Sequence, residues 1–107
     1  MNKYRNIKTT VDGITFASKH EATRYSYLKR LEKDNIIADL RLQVKYMLAP
    51  AQNNEYRKER PLTYIADFVY MYGDIEVVED AKGKRTDLYI AKRKMMLLIH
   101  KISIFET

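Results

Sequence analysis

Three residues near the middle of the chain have types and spacing that could do chemistry together: Asp67, Asp80 and Lys82. A two-residue turn at 73–74 would join two antiparallel strands, and counting outwards from it pairs Asp67 with Asp80. Directly opposed residues have Cβ atoms about 5 Å apart, where like charges repel each other. Lys82 lies on the same face as Asp80, because side chains alternate along a strand. The pattern predicts a divalent-cation site, and an ion pair of Lys82 with either acid is the alternative.

The neighbours of Asp67 favour the cation site. Ile65, Ala66, Phe68 and Val69 surround it in the chain, so its carboxylate should be partly desolvated. Burying an unpaired carboxylate costs several kcal/mol, a large part of a small domain's stability. A slip of one residue would make Glu79 the ligand, but only Asp80 shares a face with Lys82.

The composition restricts which metal could bind. The 107 residues contain no Cys and only two His, which excludes disulfides, thiolate zinc sites, a Cys nucleophile and a multi-histidine centre. Any ligands must therefore be oxygens, which suit Mg²⁺, Mn²⁺ or Ca²⁺.

Charge is distributed unevenly along the chain. The net charge is +6, yet residues 61–80 hold five acids and no base, so the remainder carries +11. A basic surface of this kind is compatible with a polyanionic partner, and a merely solvated basic surface is the alternative.

The elements that must position these residues fit a single α/β domain over residues 1–107, since two separate cores would each be too small. Ser18, followed by Glu21, is typical of a helix N-cap. The predicted elements are a hairpin-like lead-in at 9–16, a helix at 18–33, strands at 37–48, 62–72 and 75–82, a helix at 86–99 and a strand at 102–105. A long loop is expected at 49–61.

Two predicted faces follow from hydrophobic periodicity. In the strand at 37–48, one face should hold Ala38, Leu40, Leu42, Val44, Tyr46 and Leu48. In the second helix the predicted core residues are Leu88, Ala91, Met95 and Leu98.

Four ordered stretches carry a family resemblance. They are TVDGITFASK at 10–19, EATRY at 21–25, YIADFVY at 64–70 and VVEDAKG at 77–83. The chain resembles the PD-(D/E)XK nuclease superfamily. More closely, over about residues 3–104, it is similar to a family of small phage and prophage proteins usually described as candidate endonucleases. Ala66 stands where the superfamily has Pro before its first acid.

The resemblance implies a restriction-endonuclease-like αβββαβ core with a mixed four-stranded sheet flanked by helices. It also implies a cofactor, Mg²⁺ or Mn²⁺, held by Asp67, Asp80, the main-chain carbonyl of Ala81 and Glu21. Lys82 would orient the attacking water or help to deprotonate it. A capping role is the alternative for Glu21, and the two roles are compatible.

Further residues are predicted to bind the DNA backbone or to support the site. They are Lys84, Arg85, Tyr89, Lys92, Arg93 and Gln43. For each basic residue, a solvated side chain is the alternative.

The expected function is a metal-dependent DNA endonuclease that leaves 5′-phosphate and 3′-hydroxyl ends. It could select branched, forked or junction DNA, as the Holliday junction resolvases with this fold do. The alternatives are a non-catalytic DNA-binding module and a phage protein that binds a host or replication protein. We expect a cytoplasmic, phage- or prophage-encoded protein without a membrane span, with a homodimer as one option.

Overall fold

The structure, a computed structural model, describes residues 7–81 and 85–107. The predicted site residues Lys82 and Lys84 lie outside these ranges. The described strands are β1 Thr9–Val11, β2 Ile14–Phe16, β3 Ala38–Ala49, β4 Gln52–Asn53, β5 Lys58–Glu59, β6 Leu62–Tyr72, β7 Ile75–Asp80 and β8 Phe105–Glu106. The helices are α1 Lys19–Lys33 and α2 Asp87–Met95, which continues into a π-helical turn at Met96–His100.

A four-stranded sheet in the order β3-β6-β7-β8 forms the centre of the fold. The strands β3, β6 and β7 are antiparallel, and β8 runs parallel to β7. The predicted α/β class and the order of helix, three strands, helix and strand are therefore confirmed. The lead-in is a hairpin of β1 and β2, and the predicted loop at 49–61 contains the short β4–β5 hairpin.

Both helices begin at a capping side chain. The Ser18 Oγ accepts a hydrogen bond from Glu21 N at 3.1 Å, and Thr86 Oγ1 accepts one from Tyr89 N at 3.1 Å. These bonds satisfy backbone donors that the first turn of a helix leaves unpaired. The Glu21 carboxylate accepts from Ala17 N at 3.4 Å.

The predicted register of the β6–β7 hairpin is confirmed from Tyr72 opposite Ile75 to Phe68 opposite Glu79. Gly73 has a φ of 60°, which suits Gly in the first position of a two-residue turn. The ladder ends at the Phe68–Glu79 pair, and Asp67 and Asp80 are the next residues outward from the turn in the two strands.

Two apolar clusters lie on opposite sides of the sheet. The α1-side cluster comprises Phe16, Ala22, Tyr25, Leu28, Ile37, Phe68, Tyr70 and Ala81. The α2-side cluster comprises Leu48, Tyr64, Ala66, Val69, Val78, Tyr89 and Met96.

Strand β3 does not keep one apolar face, and that prediction was wrong. Leu40 and Leu42 pack against the α1-side cluster, whereas Val44 and Tyr46 pack against the α2-side cluster. The change occurs at Gln43, whose φ of 53° is left-handed and interrupts the alternation of side chains.

The predicted core face of α2 was wrong at Leu88 and Leu98 but right at Met95, which packs against the α2-side cluster. Leu88 and Leu98 are 59% and 71% exposed, whereas Tyr89 and Met96 are buried. Residues 89 and 96 are seven apart and share a helix face, so apolar periodicity allowed either face to be the inner one. The Tyr89 hydroxyl also donates a hydrogen bond to Glu106. No helix in the described part of the chain is long and apolar enough to cross a membrane.

Candidate metal centre

Asp67 and Asp80 lie at the centre of the sheet with almost no exposed surface. Asp67 is 5% exposed and Asp80 is 0% exposed. Asp67 sits within β6, between strands on either side, and Asp80 is the last residue of β7. The two predicted ligands are therefore both buried, one position beyond the last pair of two adjacent strands.

The Asp67 carboxylate is oriented by hydrogen bonds from both sides. Its Oδ2 accepts from Ala81 N at 2.9 Å, and its Oδ1 accepts from Gln43 Nε2 at 3.4 Å. The first bond places the backbone of Ala81, the third predicted ligand, beside Asp67. Gln43 was predicted as a polar group near the site, and its backbone has a left-handed φ of 53°.

The Asp80 carboxylate accepts a hydrogen bond from a tyrosine that the sequence analysis missed. Tyr64 Oη donates to Asp80 Oδ2 at 2.8 Å. Burial, and then this hydrogen bond, raises the pKa of Tyr64 well above its ordinary value. Its hydroxyl therefore keeps its proton and remains a donor at neutral pH. A buried Tyr needs a partner for its hydroxyl, so a tyrosine within a predicted central strand was a signal for such a contact.

Glu21 is buried at the start of α1. Within residues 7–81 and 85–107, no three Asp, Glu, His or Cys side chains lie close enough to form a metal-binding group. Glu21, Asp67 and Asp80 do not form such a group among the described residues, and their joint ligation of a metal stays a prediction. The remaining donors, two carboxylates and the Ala81 carbonyl, are all oxygens, and that chemistry fits Mg²⁺ or Mn²⁺.

Glu79, the alternative ligand, points to the other side of the sheet. It lies opposite Phe68, and both its oxygens accept from the Arg24 guanidinium, one of them from Nη2 at 3.2 Å. It also accepts from Tyr70 Oη at 2.7 Å and from Thr107 Oγ1 at 3.0 Å. Glu79 is thus a fully buried carboxylate whose charge is compensated by an arginine.

Another acid, Glu106, contacts several of the residues that we predicted to bind DNA. Its Oε2 accepts from Tyr89 Oη at 2.5 Å and from Arg93 Nη1 at 2.9 Å, and it forms an ion pair with Arg85 at 3.2 Å. The bond from Tyr89, followed by that from Arg93, holds the pKa of Glu106 below its usual range. Glu106 was not predicted from the sequence.

These contacts change the picture of the predicted DNA-binding residues. Tyr89, one of these residues, is buried, and its hydroxyl is bonded to Glu106. Arg85 and Arg93 remain partly exposed, at 25% and 38% of their side chains. Strand β8 places Glu106 beside Asp80, so both arginines are gathered near the candidate metal centre. Lys92, also half-buried, lies one position before Arg93.

The fold and the site define an α/β protein with two buried carboxylates on adjacent strands and arginines near one of them. A family profile described as "Protein of unknown function (DUF1064)" matches residues 1–102. The chain therefore belongs to the DUF1064 family. No curated protein and no solved structure matches the chain.

Proposed function

We propose that this chain is a metal-dependent DNA endonuclease that hydrolyses phosphodiester bonds and leaves 5′-phosphate and 3′-hydroxyl ends. The observation that carries the proposal is the burial of two carboxylates, Asp67 and Asp80, on adjacent strands of the sheet. The resemblance of the sequence to PD-(D/E)XK nucleases supports the same assignment.

The energetics favour a cation at this position. Two carboxylates on opposed strand positions repel each other, and burial increases the cost. The described contacts to Asp67 and Asp80 include donors that are neutral: an amide N–H, a tyrosine hydroxyl and a glutamine amide. A divalent cation would offset the charge of both acids at once.

In the proposed site, Asp67, Asp80 and the Ala81 carbonyl would hold Mg²⁺ or Mn²⁺. When bound, such an ion polarises a phosphoryl oxygen and lowers the pKa of water. Gln43 and Tyr64 hold the two carboxylates in their orientation. Lys82 would orient the attacking water or accept its proton, a role that rests on the resemblance.

The basic groups around this site would bind the phosphodiester backbone. Arg85 and Arg93, with Lys92 and Lys84, belong to the segment that follows Asp80 in the chain. Such contacts give an affinity that depends on salt and little on sequence. A preference for branched or forked DNA, a homodimeric state and a phage or prophage origin with activity in the host cytoplasm belong to the same proposal.

The direct test is cleavage of labelled DNA by the purified protein. Single-stranded, duplex, forked and four-way-junction substrates are incubated with Mg²⁺, Mn²⁺ or EDTA. We expect metal-dependent cleavage that falls at least about 100-fold in Asp67→Asn and in Lys82→Ala. Asp74→Asn, which removes an exposed acid from the β6–β7 turn, is the matched control and should retain activity.

Each other result of this assay has a defined meaning. Binding to DNA without cleavage of any substrate would replace the proposal with a non-catalytic DNA-binding module. Neither binding nor cleavage would favour a protein that binds a host or replication protein. Cleavage that survives Asp67→Asn would remove the assigned site.

A further inference from the structure

The connection between β3 and β6 contains the β4–β5 hairpin, whose side chains all face solvent. Every residue from 50 to 61 is exposed, so none of these side chains belongs to either apolar cluster. Long connections of this kind are uncommon in compact domains and usually have a function. The hairpin therefore contributes surface to the domain rather than packing.

Hydrogen bonds at the tip of the hairpin hold Tyr56 in an exposed position. Asn54 Oδ1 accepts from Tyr56 N at 2.8 Å and from Arg57 N at 3.1 Å. Asn54 N in turn donates to Arg57 O at 3.1 Å. The Tyr56 side chain is 85% exposed, more than any other large apolar or aromatic side chain among the described residues. An aromatic ring on an ordered backbone loses little conformational freedom when it stacks on a flat partner.

The side chains around Tyr56 suit a polyanion better than an apolar protein surface. Residues 50–61 contain three basic residues, Arg57, Lys58 and Arg60, with two acids and no Val, Leu, Ile, Met or Phe. Side chains alternate along a strand, so Lys58 points away from Glu59, which pairs with Arg57 at 4.0 Å. A protein partner would require a cluster of apolar anchors, which the hairpin lacks. Basic groups beside an exposed aromatic ring are the components of a surface that binds single-stranded nucleic acid.

The hairpin and the candidate metal centre can contact one DNA molecule. Strand β6 begins three residues after β5 and contains Asp67. Because an extended chain spans at most about 3.6 Å per residue, the Cα atoms of Tyr56 and Asp67 lie within about 40 Å of each other. That distance is little more than one turn of duplex DNA.

We propose that the β4–β5 hairpin binds an unpaired stretch of DNA, with the Tyr56 ring stacked on a base and the basic side chains on the phosphates. This inference rests on the proposed function in taking DNA as the partner. It goes further by naming the element that distinguishes forked or branched DNA from duplex. Stacking requires an unpaired base, because neighbouring bases already cover both faces of a base inside a duplex. Contacts from Arg57, Lys58 and Arg60 to phosphates carry no such requirement.

Binding of fluorescently labelled DNA in EDTA, followed by anisotropy, tests the inference without cleavage. The substrates are a single strand, a fork and a blunt duplex. Loss of one aromatic–base stack in Tyr56→Ala should weaken binding to the single strand and the fork by between about 5-fold and 150-fold. Affinity for the duplex should change by less than about twofold, because no base there is open to stacking.

Two further variants separate stacking from other effects of the substitution. Tyr56→Phe keeps the ring, so its single-strand affinity should stay within about twofold of wild type. Tyr72→Ala removes a 62% exposed tyrosine outside the hairpin and is the matched control, with unchanged affinity expected.

Fluorescence gives an independent readout of the stack. The chain contains no Trp, so the indole emission of Tyr56→Trp reports on this position alone. We expect single-stranded DNA to quench the emission of Tyr56→Trp and to leave that of Tyr72→Trp unchanged.

The outcomes separate this inference from the proposed nuclease. Equal single-strand affinity of wild type and Tyr56→Ala, an equal loss on the duplex, or no quenching in Tyr56→Trp would overturn the inference and leave the nuclease standing. Binding that depends on Tyr56 without cleavage in Mg²⁺ or Mn²⁺ would support the inference and overturn the nuclease. Failure of the wild type to bind any DNA would overturn both.

Discussion

Glu79 and Asp80 are neighbours in one strand, both are completely buried, and they point to opposite faces of the sheet. On the α1 side, Glu79 is bound by Arg24 and by two hydroxyl groups. On the α2 side, Asp80 accepts a hydrogen bond from Tyr64, and the adjacent strand carries a second buried acid, Asp67. The same residue class thus occupies two chemically different places within one step of the chain.

The difference teaches how to separate a structural carboxylate from a candidate ligand. An acid whose charge is balanced within the fold contributes to stability, because removal of its charge leaves a partly buried arginine uncompensated. An acid beside another acid is destabilised by the charge of its neighbour. The first should therefore be sensitive to neutralisation, and the second should tolerate it.

The largest effect is expected for Glu79→Gln. The substitution keeps the shape and the bond from Tyr70 but leaves Arg24 without its counter-charge, so the free energy of unfolding should fall by about 3 kcal/mol. Urea unfolding measures this change. Glu76→Gln, which neutralises a more exposed acid of the same strand paired with Arg41, should cost less than about 1 kcal/mol. Equal losses for the two variants would remove the distinction between a buried and an exposed pair.

Tyr64→Phe should lower the free energy of unfolding by about 2 kcal/mol, because it removes a buried hydrogen bond to a charged acceptor. Tyr72→Phe alters a 62% exposed tyrosine of the same strand and should change stability by less than about 0.5 kcal/mol. If Tyr64→Phe were neutral, the hydroxyl would not be supporting Asp80.

Stability should also fall in alkaline solution. The pKa of Tyr64 is raised in the folded protein, chiefly by burial, so the folded state retains a proton that the unfolded chain loses near pH 10. This contribution is complete below pH 10 and is lost as the pH rises above it. Between pH 9 and pH 11 the free energy of unfolding should fall by about 1.4 kcal/mol through this residue.

Unfolding of wild type and Tyr64→Phe at the two pH values isolates this residue from the other titrating groups. The variant should lose about 1.4 kcal/mol less than wild type over the same interval. An identical loss in both proteins would contradict the assignment.

Asp67→Asn should have the smallest effect. In metal-free buffer we expect the free energy of unfolding to stay unchanged or to rise by up to about 1 kcal/mol, because the substitution relieves a repulsive pair. The amide oxygen can still accept from Ala81 N. Chemical unfolding in EDTA gives the value. A fall of more than about 1 kcal/mol would mean that Asp67 is a structural carboxylate like Glu79.

Several parts of this arrangement were predictable because their causes are local. The Gly73 turn determines the hairpin register, which holds as predicted from Tyr72 opposite Ile75 to Phe68 opposite Glu79. Ser18 and Thr86 cap the helices through bonds within three residues. Turn geometry and capping depend on few neighbours, so a short sequence window is enough to predict them.

Other parts depend on partners far apart in the chain. Arg24 binds Glu79, which lies 55 residues further along the chain. Glu106, near the end of the chain, binds Tyr89 of α2. The left-handed backbone at Gln43 has no glycine to signal it. The inner face of α2 was misassigned because Tyr89 and Met96 are as periodic as the exposed leucines. Such features follow from tertiary packing, which local patterns do not encode.

Counting bound Mn²⁺ by electron paramagnetic resonance tests the central claim most directly, because it needs neither a DNA substrate nor turnover. The protein is titrated with Mn²⁺ and the signal of the unbound ion is measured for wild type, Asp67→Asn and the control Asp74→Asn. We predict a site for Mn²⁺ in wild type and in Asp74→Asn that Asp67→Asn lacks. Absence of this site from wild type, or its persistence in Asp67→Asn, would contradict the assignment of Asp67 and Asp80 as a metal centre.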